Sequence, residues 1–348
     1  ARRNDPELLL SGATSFDGDN DYIDCGASVN DFSSGNFTIS VWLKHDTSNS
    51  NHAGVVAIRS GQATELQLYI HATTNKIGSW NGSDNVFSTG TISNDIWTHC
   101  VLIQEEGNKK FYINGLLDST QSQARGNANS ATFKIGYTGY SSEYFEGSMS
   151  NVGIWNRALS SSEIESIYWK GQYADLKNTE LTNLVSWYNL KDTVLGSNLV
   201  TNGDFASDSD WTKVNNVTIA NGIATMSGDS GTADLKQTNP IPADKRSQIQ
   251  FTILSSDVSS NTGLQLMSTY GIDVSQDDDG NYIKDVGTHT ITGTSSSADQ
   301  LFFRLTSGAG TLTVDDVSVK EVLAKDSTET NNGSIYGATT LTDAYSAS

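Results

Sequence analysis

The chain has 348 residues, 21 of them basic and 40 acidic, for a formal net charge of -19 at pH 7, with 36% hydrophobic and 9% aromatic residues. At roughly 100–200 residues per domain this length predicts two domains, and the apolar share excludes a wholly disordered chain. Phosphate-backbone binding needs clustered Lys and Arg, and no such cluster exists, so nucleic acid and anionic membrane surfaces are not expected partners; an acidic surface suits divalent cations or neutral ligands.

The start, Ala1-Arg2-Arg3-Asn4-Asp5-Pro6, lacks the apolar core of a signal peptide. An N-terminal Ala is left by Met removal and equally by cleavage of a leader. From there on, period-two alternation dominates. Phe37–Leu43, Leu66–Ile70, Thr98–Ile103 and Lys110–Ile113 read as strands, and Asn114-Gly115 after the last is a hairpin signal, because a type I′ turn needs positive φ at both central residues. Ser160–Trp169 breaks the pattern: a serine cap, Glu163 three residues on, and Leu159, Ile164, Ile167 and Tyr168 on one face predict a short helix. A second alternating set follows Gly196, with strands at Gln248–Ile253, Gly263–Met267, His289–Thr292, Leu301–Leu305 and Thr311–Val314. Gln248, Gln250 and Thr252, with Gln265 in the next run, are expected on one polar face. No run of about 18 apolar residues occurs, so membrane insertion is not expected. Cys25 and Cys100 are too few for a disulfide framework or a zinc site; they read as buried thiols, with a single bridge as the alternative. The fold class is all-β: two antiparallel β-sandwich jelly rolls and one short helix near 160–169.

Ser15-Phe16-Asp17-Gly18-Asp19-Asn20-Asp21-Tyr22-Ile23-Asp24-Cys25-Gly26, Phe37–Trp42, Trp97-Thr98-His99, Phe111–Gly115, Phe145–Ser148 and Ile154–Ser160 resemble, in that order, the laminin-G-like (concanavalin A-like) jelly roll. Asn198–Phe205 with Trp211, closing at Val314–Val319, resembles the galactose-binding-like jelly rolls of carbohydrate-binding modules of the four/nine kind. Laminin-G-like domains commonly begin with a pattern like Leu184–Leu190, then an Asp-Ser turn and an Asn-Gly-x-Ile-x-Gly-Ala strand. Here the latter two stand at Asp326-Ser327 and Asn332–Ala338. The resemblance therefore implies a discontinuous first domain, 8–192 plus 325–348, with a second module, 195–324, inserted; the displaced strands complete their own sheet or a neighbouring copy's.

Among chemical constellations, the paired carboxylates of a retaining glycosidase are absent as an i, i+4 Glu/Asp strand pattern, and Glu163 and Glu165 lie on the helix. Asp277-Asp278-Asp279-Gly280-Asn281 lacks the closing Glu of an EF-hand and reads as a solvated turn. His45, His52, His71, His99 and His289 have no metal spacing, so no catalytic activity is expected. Structural calcium is the candidate cofactor, at Asp17, Asp19 and Asp21 on a Gly-containing turn and at Asp204, Asp315 and Asp316, where the resemblance implies one. Trp42, Trp97, Trp155, Trp187 and Trp211 fall on core positions of the resembled families. The remaining aromatics and amides, Trp80, Tyr140, Tyr144, Gln265, Tyr270 and Tyr282, with Tyr137 beside them, are the candidate sugar contacts, since pyranose faces stack on exposed rings. The two resemblances imply a non-enzymatic bacteriophage virion protein, a capsid decoration or a fibre, binding host-surface glycan and partnered by other virion proteins and by its own copies. A secreted bacterial adhesin or an accessory carbohydrate-binding module, hence an extracellular location, is the alternative.

Overall fold

The structure is a computed structural model, which describes residues 12–27, 35–46, 51–60, 63–126, 131–170, 176–258, 263–267, 276–280, 283–295, 299–328, 330–337 and 339–341. It divides into two compact units, one of residues 1–194 with 323–348 and one of residues 195–322. Each unit is built from two antiparallel sheets.

In the first unit, one sheet runs from Thr339–Leu341 through Ala13–Asp17, Glu146–Trp155, Phe37–His45, Thr98–Glu105 and Asn108–Ile113 to Leu116–Ser122. The start of Leu184–Asn198 pairs with the second half of Glu146–Trp155. The other sheet runs from Gly333–Tyr336 through Tyr22–Asp24, Phe133–Ile135, Ala53–Ser60, Ala63–Ile70 and Lys76–Trp80 to Asn85–Thr91. The C-terminal strands thus pair within their own chain. Alternation fixes which side chains enter the core: Ile23, Phe37, Ile39, Leu102, Phe111 and Ile135 are fully buried from strands whose neighbouring residues face outward or onto other elements. Trp155 and Trp187 meet edge to face at 6.0 Å and share one core cluster with Ile164 and Ile167 of the helix Ser161–Lys170 and with Leu159, which precedes it.

The expected capping box forms, with Ser160 N–H donating to Glu163 Oε2 at 2.8 Å and Glu163 N–H to Ser160 Oγ at 3.3 Å. The expectation of a single helix needs correction, because Asn178–Leu181 forms a second, four-residue helix. Tertiary contacts hold it: the carbonyl of Glu180 accepts the Trp155 indole N–H, and its carboxylate pairs with Lys170. Cys25 and Cys100 are free, buried thiols, and burial pushes both far above the usual thiol range. His99 is a core histidine bonded to Ser40 Oγ at 2.8 Å, its pKa held down to about 3 by burial.

In the second unit, Val217–Ala220, Ile223–Ser227, Thr311–Asp326, Arg246–Ser256 and Gly287–Thr294 form one sheet in that order. Thr212–Val214, Ala233–Ile241, Asp299–Leu305 and Leu264–Met267 form the other. Phe205, Trp211, Phe251, Phe303, Val314 and Val319 lie in the core between them. Gln248, Gln250 and Thr252 stand opposite Thr292, Thr290 and Thr288, a polar outer face with Gln250 Nε2 donating to Thr290 Oγ1 at 3.3 Å. Gln265 does not share that face. It lies in the four-stranded sheet beside Arg304, because alternation orders the faces of one strand without saying which strands are neighbours. In the Asp277-Asp278-Asp279-Gly280 turn, Asp278, Asp279 and Gly280 are exposed as a solvated turn requires, and only the Asp277 carboxylate departs from that reading, buried and bonded to His289 Nδ1 at 2.8 Å. Among the described residues no helix is long and apolar enough to cross a membrane.

Candidate functional site

A row of tyrosines on the outside of the first unit is the clearest assembly of ligand-capable side chains. Ile23 and Ile335 point into the core, so the pleat turns Tyr22 and Tyr336 outward, and their register sets them directly opposite. The rings stack at 4.3 Å with 5° between their planes. Beyond the neighbouring strand Phe133–Ile135, the chain turns at Gly136 with φ +87°, where a Cβ would meet the Phe16 ring at 2.6 Å, so only glycine serves there. The loop then brings Tyr137 and Tyr144 together in a β-bridge, their rings stacked at 4.2 Å, with Tyr137 at 5.6 Å from Tyr22. Burial, reinforced by Tyr144, pushes the Tyr137 hydroxyl up to about 12, so it is neutral and a hydrogen-bond donor at physiological pH.

Tyr140 sits at the tip of this loop and is 40% exposed. The Arg59 guanidinium lies 4.2 Å from its ring centroid. Arg59 is in turn held by Gln67 Oε1 at 2.8 Å and faces Glu143 at 3.8 Å, and Glu143 accepts Thr138 Oγ1–H at 2.6 Å. One exposed ring is therefore held against a fixed cation, in the same loop as the stacked Tyr137 and Tyr144 pair. Such a surface offers a C–H-binding ring face with hydroxyl groups at its rim.

The structure brings Tyr144 into this row with Tyr137 and adds Tyr22 and Tyr336, while Tyr140 stands at the tip of the same loop on Arg59. Trp80 lies elsewhere, half-buried at the end of Lys76–Trp80 with its indole nitrogen enclosed. Gln265 belongs to the second unit, and Tyr270 and Tyr282 lie outside the described residues.

Two of the aspartates of the first turn, Asp17 and Asp21, each give one carboxylate oxygen to the backbone. Asp17 Oδ1 accepts the N–H groups of Asp19 at 2.9 Å and Asn20 at 3.2 Å, and Asp21 Oδ2 accepts that of Asp17 at 3.0 Å. Burial, then the nearby Asp17, raises Asp21 to about 6. In the second unit Asp204 and Asp316 line a cavity of about 430 Å³ with Asn198, Asn202 and Ser318. Partial burial raises Asp315, and Asp316 and Asp204 add to the shift. Among the described residues no group of three or more His, Cys, Asp or Glu is arranged to hold a metal ion. A cation there would draw on amide, hydroxyl and carbonyl oxygens as well, the donor set that hard cations prefer.

Residues 17–165 match the family model of the concanavalin A-like lectin/glucanases superfamily. That match covers the greater part of the first unit. A stretch of 159 residues is 27% identical to the adhesion G-protein coupled receptor V1 of Danio rerio, spanning 41% of this chain and only 2% of the receptor. Solved structures are similar over part of the chain at low identity. A putative carbohydrate binding protein from Bacteroides ovatus is 19% identical over 60% of this chain and 54% of its own, with a TM-score of 0.41. The heptameric SAP-like pentraxin from Limulus polyphemus is 15% identical over 46% of this chain and 82% of its own, with a TM-score of 0.37.

Proposed function

We propose that the chain is a non-catalytic, lectin-like module that adsorbs the surface carrying it to glycans, and that Tyr140, Tyr137 and Tyr144 make the sugar contact. The observation that carries this reading is the exposed Tyr140 ring held on Arg59. The matched superfamily includes both lectins and glucanases. The carboxylates beside the row favour the lectin side: Glu143 is engaged by Thr138 and Arg59, while Asp24 is engaged by Thr132 and the Gly26 N–H. Neither is free to serve in an acid and nucleophile pair. In this reading the carrier is a bacteriophage virion, where the chain assembles with other virion proteins and with its own copies. The other carrier is a bacterial surface, with the chain as a secreted adhesin or accessory carbohydrate-binding module. Protein analysis of purified particles against the secreted fraction separates the two.

Tyr140→Ala is expected to weaken glycan binding at least tenfold, about 1.4 kcal/mol or more, because stacking on an aromatic ring supplies much of a sugar's affinity. The melting temperature should stay within about 2 °C of the parent, since the ring is exposed. Calorimetric titration with a glycan found on an array checks both. An array on which the intact chain binds nothing overturns the lectin reading.

We propose a structural calcium ion at the Asp204 and Asp316 turn. Millimolar calcium is then expected to raise the melting temperature of the second unit by several degrees and excess chelator to lower it, by preferential binding to the folded state. An unchanged melting curve rejects the ion.

A further inference from the structure

The strand Asn108–Ile113 alternates Lys109, Phe111 and Ile113 toward the interior, and register places Lys109 opposite Gln104, which is itself opposite Phe37. A lysine therefore occupies a core position. Lys109 is fully buried, its Nζ lies 4.7 Å from the Phe37 ring centroid, and that Nζ has no hydrogen-bond partner. The Oε1 atoms of Gln104 and Gln123 are likewise buried and unpartnered. Both amides are anchored by their nitrogens: Gln104 Nε2 donates to Asn108 O at 3.1 Å and Gln123 O at 3.3 Å, and Gln123 Nε2 donates to Asp84 O at 2.6 Å and Ser79 O at 3.3 Å. The segment Gln123-Ala124 fastens this end of the first unit. Gln123 N–H donates to Gly107 O at 3.0 Å, and Asn81 Nδ2 donates to Ala124 O at 3.1 Å.

We propose that Gln123-Ala124 is a proton-operated latch, which closes over Lys109 when the amine is neutral and opens to admit water when it is protonated. Geometry sets the direction. An ammonium needs several acceptors or water, and among the described residues its Nζ has a ring face and no hydrogen-bond acceptor. On the flanking strands the residues opposite Lys109, Gln104 and Gln121, and Phe37 beyond Gln104 are uncharged, while Lys110 on the adjacent position pairs with Glu105. Among the described residues the charge that acts on Lys109 is Arg125, a second cation. Burial, and then Arg125, holds the amine down to about 7 from 10.5. With the latch open the amine regains its ordinary value, so opening becomes more favourable as pH falls from about 10.5 to 7 and levels off below that.

The test is hydrogen exchange of the backbone amides of residues 119–126 in the full chain, with rates divided by the intrinsic rate at each pH. Protection is expected to fall about thirtyfold between pH 8.5 and pH 6, a ratio set by those two pKa values. In Lys109→Met it should be flat over the same range and higher than the parent at pH 6. Equal pH profiles in parent and variant overturn the latch. Should the variant fail to fold, 13C titration of the Lys109 side chain in the parent decides: a midpoint near neutrality supports the latch, and one above pH 9 overturns it.

Discussion

Deleting residues 325–348 is expected to abolish the cooperative unfolding transition of the first unit while leaving that of the second. The segment supplies Gly333–Tyr336, paired with Tyr22–Asp24, and Thr339–Leu341, paired with Ala13–Asp17. Each of these partners then becomes an exposed sheet edge. The deletion also removes the buried Ile335 side chain, the backbone acceptor of the Tyr188 hydroxyl at Asn331, and the buried Asp326. At about 1 kcal/mol per lost hydrogen bond and about 2 kcal/mol for a buried isoleucine, the sum reaches the 5–15 kcal/mol that a domain has in all. Calorimetry of the shortened chain reads the outcome. Two transitions at the parent's temperatures would show that these strands are dispensable.

Asp326→Ala is expected to cost about 3–5 kcal/mol, because several buried donors lose their acceptor at once. The carboxylate is fully buried and has no cationic partner among its hydrogen bonds. It accepts the N–H groups of Trp187 at 2.9 Å, Thr328 at 3.0 Å and Asn331 at 3.1 Å, and the Thr328 hydroxyl at 2.6 Å. It thus ties the strand that enters the inserted segment to the turn that follows it, 139 residues apart. Alanine leaves those donors buried without acceptors. Asp326→Asn keeps one acceptor oxygen but turns an amide N–H₂ toward donors, so about half the loss is expected. Urea denaturation that follows the first unit measures it, and a loss below about 1 kcal/mol would contradict the role.

Local physics made some of this legible in the sequence. The apolar alternation of Phe37–Leu43 specifies a strand because side chains alternate between faces, and Ser160 with Glu163 specifies a helix start because both satisfy free N–H groups. The five core tryptophans are at most 7% exposed. What lay beyond local reading depends on long-range pairing. Tyr22 and Tyr336 stack only because strands from opposite ends of the chain are neighbours, so neither residue carries a local mark of the row. Gln265 lies in the four-stranded sheet, away from Gln248 and Gln250, for the same reason. Asn178–Leu181 is too short for a periodic signal and exists through Glu180, whose carboxylate also accepts the Lys177 N–H at 2.6 Å. Lys109 sits where alternation calls for an apolar residue, and only the structure shows that the strand keeps its register around it.

Calorimetric titration of the parent, Tyr140→Ala and Tyr140→Phe with one array-identified glycan tests the central claim most directly. Saturable binding to the parent is expected, with at least tenfold weaker binding to the alanine variant and binding within about threefold of the parent for phenylalanine, which keeps the ring on Arg59. Equal affinity of the parent and the alanine variant would place any glycan site away from the tyrosine row and contradict it.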